Sequence, residues 1–233
     1  MPEQPLTGLP PADWIAPRLD RWGTVAALVP RGFPAHARVL HPAPTEPPTT
    51  WARVCTETGA APHRLMSWAE ITRGDEERWG HEAGGGSLEP ASLAALRGVL
   101  EARTAAGQDW FAGVWVGWGW LGGGGTVRLG RDGVLVDVPE PRLHPGAPEL
   151  RLPHREYLLF AGPPREVVRG WGPADVGWHQ SPSLVWPADR TWFVAGDTDP
   201  DSTYVGGSAE LVAAVLAAPG LEAWPADPDD PLG

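Results

Sequence analysis

The stretch Trp110-Phe111-Ala112-Gly113-Val114-Trp115-Val116-Gly117-Trp118 is followed by the glycines 122–125, then by Thr126-Val127-Arg128-Leu129, Arg131-Asp132-Gly133 and Val134-Leu135-Val136-Asp137-Val138. Aromatic and β-branched residues crowd 110–118, the composition of a strand. Arg131-Asp132-Gly133 has turn chemistry between two short apolar runs, the mark of an antiparallel hairpin. Working outward, residues 157–160 (YLLF) and 192–195 (WFVA) read as further buried strands, and 35–41 as another. Residues 24–29 (TVAALV) are expected to pair with 35–41 across a short turn at Arg31-Gly32-Phe33-Pro34, and 221–223 to form a last short strand.

Helical signals are few. Pro90 suits a first helical position, where its missing N–H costs nothing, and Leu88 with Leu93 has the spacing of a hydrophobic staple. Leu93, Leu96 and Leu100 then form one apolar stripe. Ser208 is placed to cap a second helix with Leu211, Val212, Val215 and Leu216 on one face. Trp51, Val54 and Cys55 give a short third helix at 51–58. Strands dominate and the helices do not alternate regularly with them. The expected fold is therefore α+β, with a mostly antiparallel sheet and a few short helices in a single domain. The glycine stretches 84–86 and 122–125 lack the length and charge of a linker. The expected organisation is an extended Pro-rich arm at 1–19, one domain over 20–226 and an acidic tail at 227–233, with a mobile loop over 73–86.

Composition excludes several function classes. The 233 residues carry a net charge of −11 and hold 30 Gly, 28 Pro, 14 Trp and one cysteine. Disordered chains are poor in aromatics, so the tryptophans argue for a packed core despite the Gly and Pro content. One cysteine makes neither an intrachain disulfide nor a multi-cysteine metal site. The negative charge repels phosphate backbones, so no nucleic-acid partner is expected. The N-terminal MPEQPLTGLPPADW lacks the basic and apolar regions of a signal peptide, and no run is long enough to span a membrane. These features predict a cytoplasmic protein without a membrane partner. All 18 cations are Arg, because Lys is absent, which excludes a Lys Schiff base or P-loop residue. A GC-rich coding sequence accounts for that bias, since Lys, Asn and Ile have AT-rich codons.

No motif commits the chain to a cofactor or metal. Gly117-Trp118-Gly119-Trp120-Leu121-Gly122 matches G-x-G-x-x-G, but it runs into further glycines and a β pattern, with no helix to receive a phosphate. Asp197-Thr198-Asp199-Pro200-Asp201 begins like a calcium loop, yet Ser202 stands where Gly is needed and Ser208 where a bidentate Glu is needed. The seven histidines form neither H-x-x-x-H nor H-E-x-x-H. The expected state has no cofactor and no bound metal.

Two segments are more distinctive than composition requires: Trp186-Pro187-Ala188-Asp189-Arg190-Thr191-Trp192, and 197–208, which ends in Tyr204-Val205-Gly206-Gly207-Ser208. Together they resemble the C-terminal part of an uncharacterised family of actinobacterial proteins with a W-P-x-D-R-x-W and V-G-G-S pattern. Residues 33–42 (FPAHARVLHP) resemble that family's N-terminal hairpin. The resemblance covers about a third of the chain and brings no catalytic residues with it.

The candidate ligand-binding residues are Asp197, Asp199, Gly206, Gly207, Ser208, Asp189 and Arg190. Their rationale is a strand ending near Gly196, a turn through carboxylates, and two glycines opening a helix whose first N–H groups lack partners. Asp189 and Arg190 are expected to serve structure, Asp189 by accepting turn N–H groups and Arg190 by pairing with Asp197 or Asp199. The expected function is a binding or interaction protein with a protein or small-molecule partner, of an immunity-like or accessory kind. The alternative is a hydrolase or transferase using carboxylates near Asp189, Asp197 and Asp199.

Overall fold

The computed structural model describes residues 4–43, 45, 47–80, 83–123, 125–129, 135–139, 142–172 and 180–232. Ten strands are described: β1 (Ala35–Leu40), β2 (Trp110–Trp115), β3 (Gly125–Leu129), β4 (Leu135–Pro139), β5 (Glu149–Arg151), β6 (Glu156–Gly162), β7 (Leu184–Pro187), β8 (Phe193–Ala195), β9 (Ser202–Gly207) and β10 (Ala223–Ala226). Seven α-helical segments accompany them: α1 (Trp51–Thr58), α2 (Trp68–Thr72), α3 (Glu76–Trp79), α4 (Pro90–Glu101), α5 (Gly119–Gly122), α6 (Pro164–Val167) and α7 (Ala209–Leu216). Eight strands form one sheet in the order β10-β1-β9-β8-β7-β2-β6-β5, with every pairing antiparallel. β3 and β4 make a separate antiparallel ribbon, as expected; the Arg131-Asp132-Gly133 turn lies outside the described residues. The fold is α+β in one body.

Alternation along the strands sends alternate residues to opposite sheet faces. On one face Ala37, Val39, Val114, Phe160, Val194 and Val205 pack under α4, α6 and α7. On the other, Leu159, Trp186, Phe193 and Tyr204 meet Ala12, Ile15, Val25 and Val29 from the N-terminal segment. That segment is not a plain extended arm: Pro10–Ala12 and Ala16–Arg18 are 3-10 turns, and Ile15 is fully buried. The apolar ends of α1, α2 and α3 form a third cluster around Leu40, Trp51, Met66 and Ile71.

α4 and α7 follow their sequence signals. Pro90 opens α4, the Glu89 carboxylate accepts from the Ser92 and Ala91 N–H groups, and Leu88 and Leu93 are both buried. Ser208 caps α7 by accepting from the Leu211 N–H at 3.2 Å. α1 is capped locally by Thr50, whose hydroxyl accepts from the Arg53 N–H at 3.3 Å, and from a distance by Glu222, whose carboxylate accepts from the Trp51 and Ala52 N–H groups, each at 2.7 Å. Burial raises the Glu222 carboxyl above its ordinary range, opposed by those two N–H groups.

Several expectations need correction. Residues 24–29 do not form a strand; Val25–Ala27 is a 3-10 turn whose Val25 and Ala26 N–H groups donate to Asp230 and Pro228 carbonyls. The expected hairpin with 35–41 is therefore absent, and β1 instead lies between β9 and β10. An apolar run signals burial, and burial alone does not select a strand. The 73–86 segment contains α3 and buries Trp79 and Ala83. Gly206 and Gly207, expected to open a helix, belong instead to β9, a fully buried strand inside the sheet. The acidic C-terminal residues also pack: Asp230 is buried, accepts from Asp227 N–H at 2.7 Å, and pairs with Arg64.

The last strand covers 223–226 rather than 221–223 and lies at the sheet edge. Leu40 N–H donates to the Glu222 carbonyl, so in this antiparallel register residues 222, 224 and 226 face β1. Pro225 therefore points its nitrogen outward, where a missing N–H disturbs no ladder bond. Among the described residues, no helix is long and apolar enough to cross a membrane.

Candidate functional site

The sheet separates the residues singled out from sequence. β8 and β9 run antiparallel, with Phe193 opposite Gly206 and Ala195 opposite Tyr204. Asp189, Arg190, Gly206, Gly207 and Ser208 thus lie toward one end of this pair, and Asp197 and Asp199 toward the other. Five strand steps separate the ends of β9, about 17 Å.

At the first end the residues serve structure. Asp189 accepts from the Thr191 N–H at 3.1 Å, the Thr191 hydroxyl at 2.8 Å and the Gln108 side chain at 2.6 Å. Burial pushes its carboxyl up, but these donors outweigh it and hold the group below its ordinary value. Arg190 sits at φ 58° and lays its guanidinium over Trp14, 5.6 Å from the ring centroid. It does not pair with Asp197 or Asp199, as the sequence suggested; Arg155 holds both. Nor are Gly206 and Gly207 open to a ligand. A Cβ on Gly206 would stand 2.7 Å from Phe33 and Val29, and one on Gly207 2.9 Å from Leu211.

The other end is polar and partly open. Arg155, just before β6, donates from Nε to both Asp197 oxygens at 3.2 and 3.1 Å. Its Nη2 reaches Asp197 Oδ1 at 2.7 Å, Thr198 Oγ1 at 2.9 Å and Asp199 Oδ2 at 2.9 Å. Asp197 also accepts from the Thr198 N–H at 2.6 Å, so this buried carboxylate is held on several sides. The guanidinium face lies 4.8 Å from the Trp115 centroid. Aromatic and paired-acid contacts together fix the arginine in one plane.

Beside this group is a small cleft bordered by Trp22, His154, Arg155, Tyr157 and Asp197, with an apolar wall of Leu19, Leu28 and Leu152. Its interior holds about 10 Å³, the space of a single water. Trp22 is 41 % exposed, and its ring meets the exposed His154 ring edge-on with centroids 4.9 Å apart. Burial raises the Tyr157 phenol well above its ordinary value, with Asp197 adding to the effect, so the hydroxyl keeps its proton at neutral pH. Among the described residues, the Trp22 indole N–H, the His154 ring and the Nη1 end of Arg155 have no hydrogen-bond partner. Asp197 was legible as a candidate; Trp22, His154, Arg155 and Tyr157 were not, because folding brings them from other parts of the chain.

A second polar cluster lies behind the same turn and is closed. Arg38 donates to the Asp201 carboxylate and the Ser202 hydroxyl at 2.9 and 2.8 Å and to the Met66 carbonyl at 2.9 Å. His41 Nδ1 is 3.0 Å from the Gly84 carbonyl, which can only accept, so Nδ1 carries the proton. Nε2 then accepts from the Thr203 hydroxyl at 2.9 Å. Burial lowers the His41 pKa to about 4, which makes the imidazole a weak base at neutral pH. The glycine segment covers this pair and touches the Asp197 turn: a Cβ on Gly86 would lie 2.6 Å from Thr198 Cα. No group of histidines, cysteines and carboxylates suited to a metal occurs among the described residues. Comparison with protein-family models, with curated proteins and with solved structures finds no match to this chain.

Proposed function

We propose that this chain is a binding protein, of an accessory or immunity-like kind, that recognises a protein partner at the cleft of Trp22, His154 and Arg155. The observation that carries this reading is the pairing of an exposed tryptophan with uncommitted donors on a rigidly held arginine. Aromatic residues and arginine are the side chains that most often dominate protein recognition. The resemblance in the W-P-x-D-R-x-W segment adds nothing to this site, because those residues lie at the opposite end of β8 and β9.

The alternative, hydrolysis or group transfer through Asp189, Asp197 and Asp199, has less support. Asp189 holds a turn, and Asp197 and Asp199 both accept from Arg155. General acid–base chemistry needs a carboxyl free to exchange a proton with a bound substrate. A displayed library of random peptides, selected on the protein and counter-screened on Trp22→Ala, tests the binding reading. Clones that require Trp22 are expected; a selection whose clones bind both proteins equally would refute it.

A further inference from the structure

We infer that the occupant of this cleft is a proline-rich segment of a partner protein in the polyproline II conformation, an inference that rests on the binding reading above. Three features select that chemistry. First, among the described residues two uncommitted groups of the cleft can only donate, the Trp22 indole N–H and the Nη1 end of Arg155, and the His154 ring and the Tyr157 hydroxyl can each donate as well as accept. The acid in the cleft, Asp197, already accepts at both oxygens from Arg155. The complementary ligand is therefore rich in acceptors and poor in donors. Proline has a carbonyl but no N–H, so it can fill those donors without stranding a donor of its own.

Second, the cleft is small. An interior of about 10 Å³ cannot engulf a side chain, so the ligand must lie across it. The available apolar surface is the exposed Trp22 ring, set against His154, beside Leu19 and Leu152. Proline rings packing flat on an aromatic residue suit that shape, and polyproline II loses little conformational freedom on docking. Third, Arg155 is flanked by two carboxylates, so the local charge disfavours a phosphate or carboxylate ligand. An uncharged segment avoids that repulsion.

The test uses the full chain and three blocked, uncharged ten-residue peptides: polyproline, one with alternate prolines replaced by alanine, and a Gly/Ser control. Binding is followed by the indole N–H signals in two-dimensional NMR, with Trp22 identified by its loss in Trp22→Phe. Polyproline should shift the Trp22 signal, bind about tenfold more tightly than the alanine-interrupted peptide, and lose about tenfold in affinity in Trp22→Ala. His154→Ala, at an exposed side chain, should weaken it by a smaller factor and leave the fold unchanged. Equal affinity for all three peptides, shifts confined to other tryptophans, or no binding by polyproline would overturn the inference. If the random library still yields Trp22-dependent clones without proline, the cleft binds another polypeptide class and only this inference fails. If it yields none, the binding reading fails with it.

Discussion

The two polar clusters on either side of the 197–203 segment use similar residues for opposite ends. In the inner one, Arg38, Asp201, Ser202, His41 and Thr203 are buried, and the hydrogen bonds described run from one member or nearby backbone group to another. In the outer one, Arg155 and Asp197 are held just as firmly, yet one end of the guanidinium and two neighbouring rings have no hydrogen-bond partner among the described residues. Saturation, rather than the presence of charged residues, separates a structural network from a recognition surface. A closed network in a low-dielectric interior fixes the fold and leaves no group for a ligand.

The largest test of this difference breaks the inner ion pair. Arg38→Met leaves the buried Asp201 carboxylate without its guanidinium and should cost about 3–5 kcal/mol in urea unfolding, while Arg38→Met with Asp201→Leu should recover part of that loss. Near-native stability of the single variant would show that the inner cluster is not a sealed charge pair.

A somewhat smaller effect should appear with pH. His41 is neutral in the folded protein and its pKa is lowered to about 4 by burial, against about 6.5 in the unfolded chain. Above pH 6.5 both states are neutral and no stability is lost. Below it the unfolded chain takes up a proton that the folded one refuses, so stability falls progressively until about pH 4, by about 3 kcal/mol. His36, which burial also holds below its ordinary value, acts in the same direction. Urea midpoints measured from pH 7 to 4 should show this slope, and His41→Gln should flatten it. An unchanged slope in that variant would place the titrating group elsewhere.

The smallest stability effect belongs to the outer cluster. Trp22→Ala removes an exposed ring and should change unfolding free energy by about 0.5 kcal/mol, although the binding proposed for the cleft weakens about tenfold. A loss of several kcal/mol would instead make Trp22 part of the core.

The parts of the fold set by local chemistry were legible. Pro90 with the Leu88–Leu93 staple and Ser208 before its apolar face produced the elements their residues favour, and the aromatic run from Trp110 did so as far as Trp115, short of the expected Trp118. Elements set by distant partners were not. The glycines of β9 read as the opening of a helix, but their role is to let Phe33, Val29 and Leu211 press against an interior strand. The 24–29 run reads as a strand because its apolar residues announce burial; its N–H groups are instead satisfied by the C-terminal segment. At the site, Asp197 and Asp199 stood out by their spacing, whereas Arg155 lies 42 residues from Asp197 and carries no local signal of that contact.

Pro225 has a consequence for molecules meeting in solution. An edge strand can template another chain when its outward amides are free to start a new ladder. At the centre of this edge the outward position is a ring nitrogen that cannot donate. At the opposite edge β5 is three residues long, and the Leu6 N–H donates to the Leu159 carbonyl just beyond it. Strand-to-strand polymerisation through the eight-stranded sheet therefore has an interrupted template at one margin and a short, partly occupied one at the other.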